Sequence, residues 1–234
     1  MLHGWMQNLK ALEPLAKILA AQRPIVLIDL PGFGESAPPD QGHGTAWYQE
    51  QVLPLLDRIG INQFDLYGHS FGGRIAVRLA ANHPERVRLL ILNAAHGLQM
   101  RKPLGKQVFF SSLALIRTVI KLIDRVLPGA KLYQNHFIPR FASRDYKNAG
   151  VMREVLVKTV NEDLSSLATR IEHHALLLWG TEDQETPLSM GKRYAQLITN
   201  AQLIELTGHG HMPYEDVGSH LLSKYISEFL ANEA

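Results

Sequence analysis

Five short apolar runs alternate with amphipathic helical patterns, and this alternation constrains the fold more than any other feature of the chain. The runs are Pro24–Leu30, Gln63–Tyr67, Val87–Leu92, Ala175–Trp179 and Ala201–Leu206. The first is nearly continuous, as expected of a strand buried on both faces, the next three read as further strands, and the fifth alternates more, as expected nearer an edge. Between them, Asn8–Ala20, Thr45–Ile59, Phe71–Asn82, Leu188–Ile198 and Val217–Leu230 carry apolar residues at helical spacing; Leu9, Leu12, Leu15, Ile18 and Leu19 share one face. Strand and helix in alternation predict a mostly parallel sheet with helices on both sides, a three-layer α/β architecture.

The alternation breaks between residues 98 and 172. This segment holds 13 of the 24 Lys and Arg residues but 6 of the 22 Asp and Glu residues, so it is cationic while the rest is anionic. A helix over Val108–Leu127 is expected, with Arg117, Lys121, Asp124 and Arg125 on one face and Pro128-Gly129 as its stop; a second is expected around Ala149–Val160. The division is therefore 1–97 core, 98–172 an all-helical insertion read as a cap over a pocket, and 173–234 core. A basic amphipathic helix can also lie on a membrane surface, which is the lesser expectation.

Overall charge is +2 over 234 residues, which gives no footprint for nucleic acid. The chain has no Cys, so disulfides, thiolate metal sites and Cys nucleophiles are excluded. Met1–Trp5 lacks the basic and apolar regions of a signal peptide, and a cytoplasmic location is the expectation.

The chemistry concentrates at the ends of the runs. Gly68-His69-Ser70-Phe71-Gly72 fits G-x-S-x-G between a strand and a helix, the context of a nucleophile elbow. A Ser nucleophile needs a base, and the base an orienting carboxylate. Glu182, Asp183 and Glu185 follow the fourth run, and His209 and His211 follow the fifth, both in loops at strand C-terminal ends where ligands bind in such sheets. Their order, Ser then acid then His, is the one this arrangement uses. The pair His209/His211 has no third ligand at metal spacing, so no metal and no cofactor is expected.

Together with His3-Gly4-Trp5, Asp29–Ser36, Gly68–Gly73, Trp179–Pro187 and Gly210–Glu215, the chain resembles the α/β-hydrolase superfamily over nearly its whole length, closest to capped bacterial esterases and carbon–carbon bond hydrolases. The resemblance implies Ser70 as nucleophile, Asp183 as acid with Glu185 the alternative, and His211 as base with His209 the alternative. It also implies an oxyanion hole from the N–H groups of Trp5 and Phe71, and Asp29 as a tether for the Pro31–Gly34 turn. His3, Gly4, His69 and His96 are candidates to line the substrate pocket. The implied activity is cleavage of a small-molecule carboxylic ester through an acyl-enzyme; the alternatives are a diketone-type carbon–carbon hydrolase with the same triad, or a ligand-binding protein without turnover.

The family places strands before His-Gly, one of them between the counterparts of 24–30 and 63–67, whereas only Met1 and Leu2 precede His3 here. The favoured expectation is that Met1 is an internal methionine of a longer chain; a natural short form and a non-catalytic relative are the alternatives. A gap at that place would leave backbone groups unpaired unless the flanking strands pair directly or a partner supplies a strand, so a homodimer is compatible with the sequence.

Overall fold

The computed structural model describes residues 1–99, 104–127, 129–215 and 217–233. Four strands, β1 (Phe64–His69), β2 (Val87–Asn93), β3 (Ala175–Gly180) and β4 (Ala201–Leu206), form one sheet in the order β1-β2-β3-β4. All neighbours run parallel, in registers such as Leu92 beside Gly68 and Leu177 beside Leu92. Alternate residues feed two cores. Leu90, Leu92, Leu177 and Trp179 face one side, and Leu89, Ile91, Leu176 and Leu178 the other. On the first side pack α2 (Thr45–Arg58) and α3 (Phe71–Asn82), and on the second α1 (Glu13–Leu19). Three layers thus result from a period-two pattern meeting helical stripes on both faces.

The described elements between β2 and β3 are all helical. They include α4 (Leu104–Val126), the short helices α5 (Ile138–Phe141) and α6 (Arg144–Asn148), α7 (Arg153–Val160) and α8 (Ser165–Ala168). Pro128, expected to stop α4, lies outside the described residues, as do residues 100–103 near the expected start of the insertion. After β3 come α9 (Leu188–Leu197) and, beyond β4, α10 (Gly218–Asn232), which lies with α1 against the second face. No described helix is long and apolar enough to cross a membrane.

The run Pro24–Leu30 is a correction to the sequence reading: it is not a strand of the sheet. It makes one isolated bridge, Ile28 with Leu2, and Leu2 bridges on its other side to Gly68. The backbone bonds Leu2 N–H to Tyr67 C=O, His69 N–H to Leu2 C=O and Ile28 N–H to Met1 C=O follow a parallel ladder that lasts only as long as Met1 and Leu2 do. Upstream of them the two walls stand apart around a cavity of about 350 Å³, lined by Pro24, Val26, Phe64 and Leu66 among others. Strand propensity alone does not make a strand; a neighbour must supply the hydrogen bonds. The remaining differences are small: Asn8–Ala20 divides into a 3-10 turn (Leu9–Leu12) and α1, and the helix foreseen around 149–160 divides into a 3-10 turn (Gly150–Met152) and α7.

The turn from β1 into α3 is packed tightly against the Leu2–His3 backbone. Gly72 N–H donates to His3 C=O at 3.0 Å, and a Cβ on Gly72 would lie 2.5 Å from the Leu2 carbonyl oxygen. Backbone stands in the way, so no rotamer change relieves the overlap. Gly72→Ala is expected to cost about 1–3 kcal/mol, read as a lower urea midpoint. Gly105→Ala in α4, where a Cβ meets nothing within 4 Å, is expected to leave stability equal or higher.

Candidate active site

Ser70 sits at φ 48° and ψ −105°, a left-handed conformation for a residue with a Cβ. Such strain costs about 1–3 kcal/mol and persists only where the surroundings over-determine it. They do: Ser70 N–H donates to Asn93 C=O at 3.1 Å, and His96 N–H donates to Ser70 C=O at 3.1 Å. The turn places the Ser70 side chain at the C-terminal edge of the sheet and at the N-terminus of α3, where partial positive charge favours a developing anion.

His211, in the loop after β4, reaches Ser70 Oγ with Nε2 at 3.0 Å, and its Nδ1 lies 2.9 Å from Asp183 Oδ2. Asp183 is 5 % exposed, in the loop after β3. Its Oδ1 accepts the backbone N–H groups of Glu185 and Thr186, each at 2.8 Å, and its Oδ2 accepts the Thr186 hydroxyl at 2.7 Å. Burial pushes the Asp183 carboxyl up, but hydrogen bonds from His211 and Thr186 outweigh that and hold it below the usual carboxylate range. A charged Asp183 facing Nδ1 assigns the proton to Nδ1 and leaves Nε2 free to accept from Ser70. Glu185 also approaches, with Oε2 3.4 Å from His211 Nε2, but it is exposed and lies on the serine side of the ring, not the orienting side.

The loop Leu2–Gln7 faces this group. The ring of His3 donates from Nδ1 to Gly4 C=O at 2.8 Å and accepts Leu30 N–H on Nε2 at 3.1 Å, so His3 clamps the loop. Gly4 N–H is held by Gln7 Oε1, and the Gln7 amide meets the Tyr214 hydroxyl at 2.6 Å, tying this loop to the one that carries His211. Asp29 does tether the following turn, accepting Leu9 N–H at 2.7 Å and Glu35 N–H at 3.0 Å. The cavity at Ser70 is lined by Trp5, Phe71, Arg74, His96, Leu156, Thr159 and Val160, with Asp145 and Glu185 at its rim. Its volume is about 260 Å³. Of the four pocket candidates His96 is among the lining residues; His3, Gly4 and His69 stand behind the loop and the serine. Thr186, Gln7 and Arg74 were not singled out from the sequence. Thr186 had a signal, a hydroxyl three residues after a loop Asp, which is the spacing of a side-chain-capped turn.

The model of the alpha/beta hydrolase family matches residues 1–220. Over 198 residues the chain is 32% identical to 2-hydroxymuconate semialdehyde hydrolase of Pseudomonas putida, covering 81% of this chain and 70% of that one. It is 29% identical over 228 residues to a pimeloyl-[acyl-carrier protein] methyl ester esterase of Neisseria meningitidis, covering 92% and 86%. A thermophilic esterase from Thermogutta terrifontis shares the fold at a TM-score of 0.73 and 19% identity, over 99% of this chain and 88% of that one. The chain belongs to the alpha/beta hydrolase family, and its sheet is the α/β-hydrolase sheet.

Two histidines near the serine are held neutral. His69 is buried, and its Nδ1 lies 3.1 Å from Asn93 C=O. Burial, and then the charge of His211, lower its pKa to about 3. Burial, and then the Arg74 charge, lower that of His96 to about 3 as well. Unfolding restores both to about 6.5, so between pH 6.5 and 3 the unfolded chain binds more protons and stability falls with falling pH. Each group adds a slope approaching about 1.4 kcal/mol per pH unit. Urea midpoints are expected to drop steeply from pH 7 to pH 5, and His96→Gln to flatten that dependence; a midpoint independent of pH contradicts both assignments.

Proposed function

We propose that this alpha/beta hydrolase is a serine hydrolase that cleaves carboxylic esters through an acyl-enzyme, with Ser70 as nucleophile, His211 as general base and acid, and Asp183 as the orienting carboxylate. The observation that carries this reading is the unbroken chain Ser70 Oγ, His211 Nε2, His211 Nδ1, Asp183 Oδ2, with links of 3.0 and 2.9 Å. Each link has the sense the reaction needs: Ser70 donates to Nε2 and Nδ1 donates to the carboxylate.

In the first half-reaction Ser70 Oγ bonds to the ester carbonyl carbon as its proton passes to His211 Nε2. The negative charge on the carbonyl oxygen meets the N–H groups of Phe71, at the start of α3, and of Trp5. The neighbouring N–H groups are already spent, Gly4 on Gln7 and Gly72 on His3, which leaves these two for the oxyanion. Donors of this kind contribute about 3–4 kcal/mol each in comparable acyl-transfer sites. Collapse of the intermediate breaks the bond to the alcohol oxygen, which takes the proton from His211. Water then enters, gives a proton to His211, attacks the acyl carbon and releases the acid with Ser70 restored. The helices between β2 and β3 serve as a cap: α7 supplies Leu156, Thr159 and Val160 to the cavity wall.

A carbon–carbon bond hydrolase is the second reading, favoured by the 32% identity to the P. putida enzyme. It uses the same residues and differs in the bond broken.

A fluorophosphonate probe tests the reading. One adduct on the wild-type chain and none on Ser70→Ala is the expected intact-mass result; a folded chain that takes no adduct overturns it. Ser70→Ala is expected to lower kcat about 10⁴-fold or more, and Asp183→Asn by about 10⁴. Glu185→Gln is expected to change kcat less than about tenfold, which separates the two carboxylates that the sequence left open.

A further inference from the structure

Two of the residues that line the cavity at Ser70, Trp5 and Arg74, each carry a buried donor without an acceptor among the described residues. Arg74 lies in the first turn of α3, four residues after Ser70 at its N-cap, and both line the cavity. Its side chain lines the cavity although only 3 % of the residue is exposed. Nη2 lies 2.8 Å from His96 Nδ1, which also accepts Gly97 N–H at 3.1 Å. An imidazole nitrogen that accepts twice carries no proton, so the His96 proton sits on Nε2 and that side of the ring is a donor. Arg74 Nη1 and the Trp5 indole Nε1 are buried with no hydrogen-bond partner among the described residues. Leaving such donors unpaired is costly, and a buried guanidinium without a counter-charge more so.

Protein acids do not supply the missing acceptor. Glu162, whose charge reaches Arg74, is bound by the Thr45 N–H and hydroxyl and by Arg78 at 3.6 Å. Asp145 and Glu185 are exposed at the rim, where water screens them, and neither makes an ion pair with Arg74 among the described residues. Arg74 is the one cation among the described lining residues, and Phe71, Leu156 and Val160 make the apolar part of the wall. The arrangement is a cationic floor under a water-screened acidic rim.

We propose that Arg74, with His96 and Trp5, forms a carboxylate subsite that selects esters whose acyl chain ends in a free carboxylate. The proposal rests on the reading of Ser70 as the nucleophile. The acyl side follows from position. The group that becomes attached to Ser70 stays at the floor, whose backbone is shared with Arg74 and His96 through the Ser70 carbonyl. The alcohol leaves toward the exposed side, past Asp145 and Glu185. The Arg74–His96 contact orients the guanidinium and fixes His96 as a donor, and the two together present N–H groups to both oxygens of a carboxylate.

Binding tests this separately from turnover. Ser70→Ala protein is titrated calorimetrically with the monomethyl esters of succinate, glutarate and adipate and with the matching dimethyl esters. At least one monoanion is expected to bind about tenfold or more tightly than its neutral diester, the value of a hydrogen-bonded charge. That advantage is expected to vanish in Ser70→Ala/Arg74→Met, to survive in part in Ser70→Ala/Arg74→Lys, and to shrink in Ser70→Ala/His96→Gln. Equal affinities, tighter binding of the diesters, or a preference that survives Arg74→Met overturns the subsite; should Arg74→Met not fold, the His96→Gln comparison and the preference of the parent decide. Wild-type turnover of p-nitrophenyl acetate is measured beside it. Turnover without a monoanion preference removes the subsite and leaves the esterase, whereas monoanion binding without turnover or probe labelling removes the esterase and leaves the subsite.

Discussion

The left-handed turn at Ser70 is the constraint on which the site depends. A residue with a Cβ occupies it only because β1 and β2 fix one side through Ser70 N–H and Asn93 C=O, while the Leu2–His3 backbone presses on the other. That same backbone bridges to Gly68 and carries, two residues on, the Trp5 N–H. The nucleophile, the helix N-terminus and the proposed oxyanion donors are therefore one mechanical unit. Met1 and Leu2 hold it to the sheet with very few bonds, beside the open slot between residues 24–26 and β1.

Charge in the site is sorted by burial. His3, His69 and His96 are sequestered and neutral in character, each with a ring nitrogen committed to backbone or to Arg74. His211 alone among the four stands between a carboxylate and a hydroxyl. A histidine surrounded by donors and carbonyls is a fixture; a histidine between an acid and a nucleophile can move a proton. Composition places eleven histidines in the chain, and this difference in partners is what separates the reactive one.

Much of this was legible in advance, and the failures share a cause. The runs Val87–Leu92 and Ala175–Trp179 were readable because burial on both faces leaves them apolar almost throughout, and the elbow because G-x-S-x-G needs small residues where Cβ atoms would meet backbone. Pro24–Leu30 has the same composition, but a strand is a relation between two segments, and this run makes a single bridge, Ile28 with Leu2. The choice between Asp183 and Glu185 was likewise undecidable from composition. What distinguishes them is the Thr186 hydroxyl and two backbone N–H groups, which only a folded loop brings to one carboxylate.

Arg74 shows what helical spacing does reveal when it is asked. An arginine four residues after the proposed nucleophile, on an otherwise apolar stretch of α3, falls in the first turn of the helix that the serine caps. As a motif, Gly-Gly-Arg-Ile-Ala reads as the continuation of an amphipathic helix, with the charge turned to water. Its neighbours turn it inward instead: Ile75, Ala76 and Val77 are all fully buried, so α3 has no solvent face in its first two turns. A charge there must be answered from inside the protein. The chain answers half of it with the neutral ring of His96 and leaves the other half open beside the serine, which makes the pocket selective by the same burial that makes the arginine costly to keep.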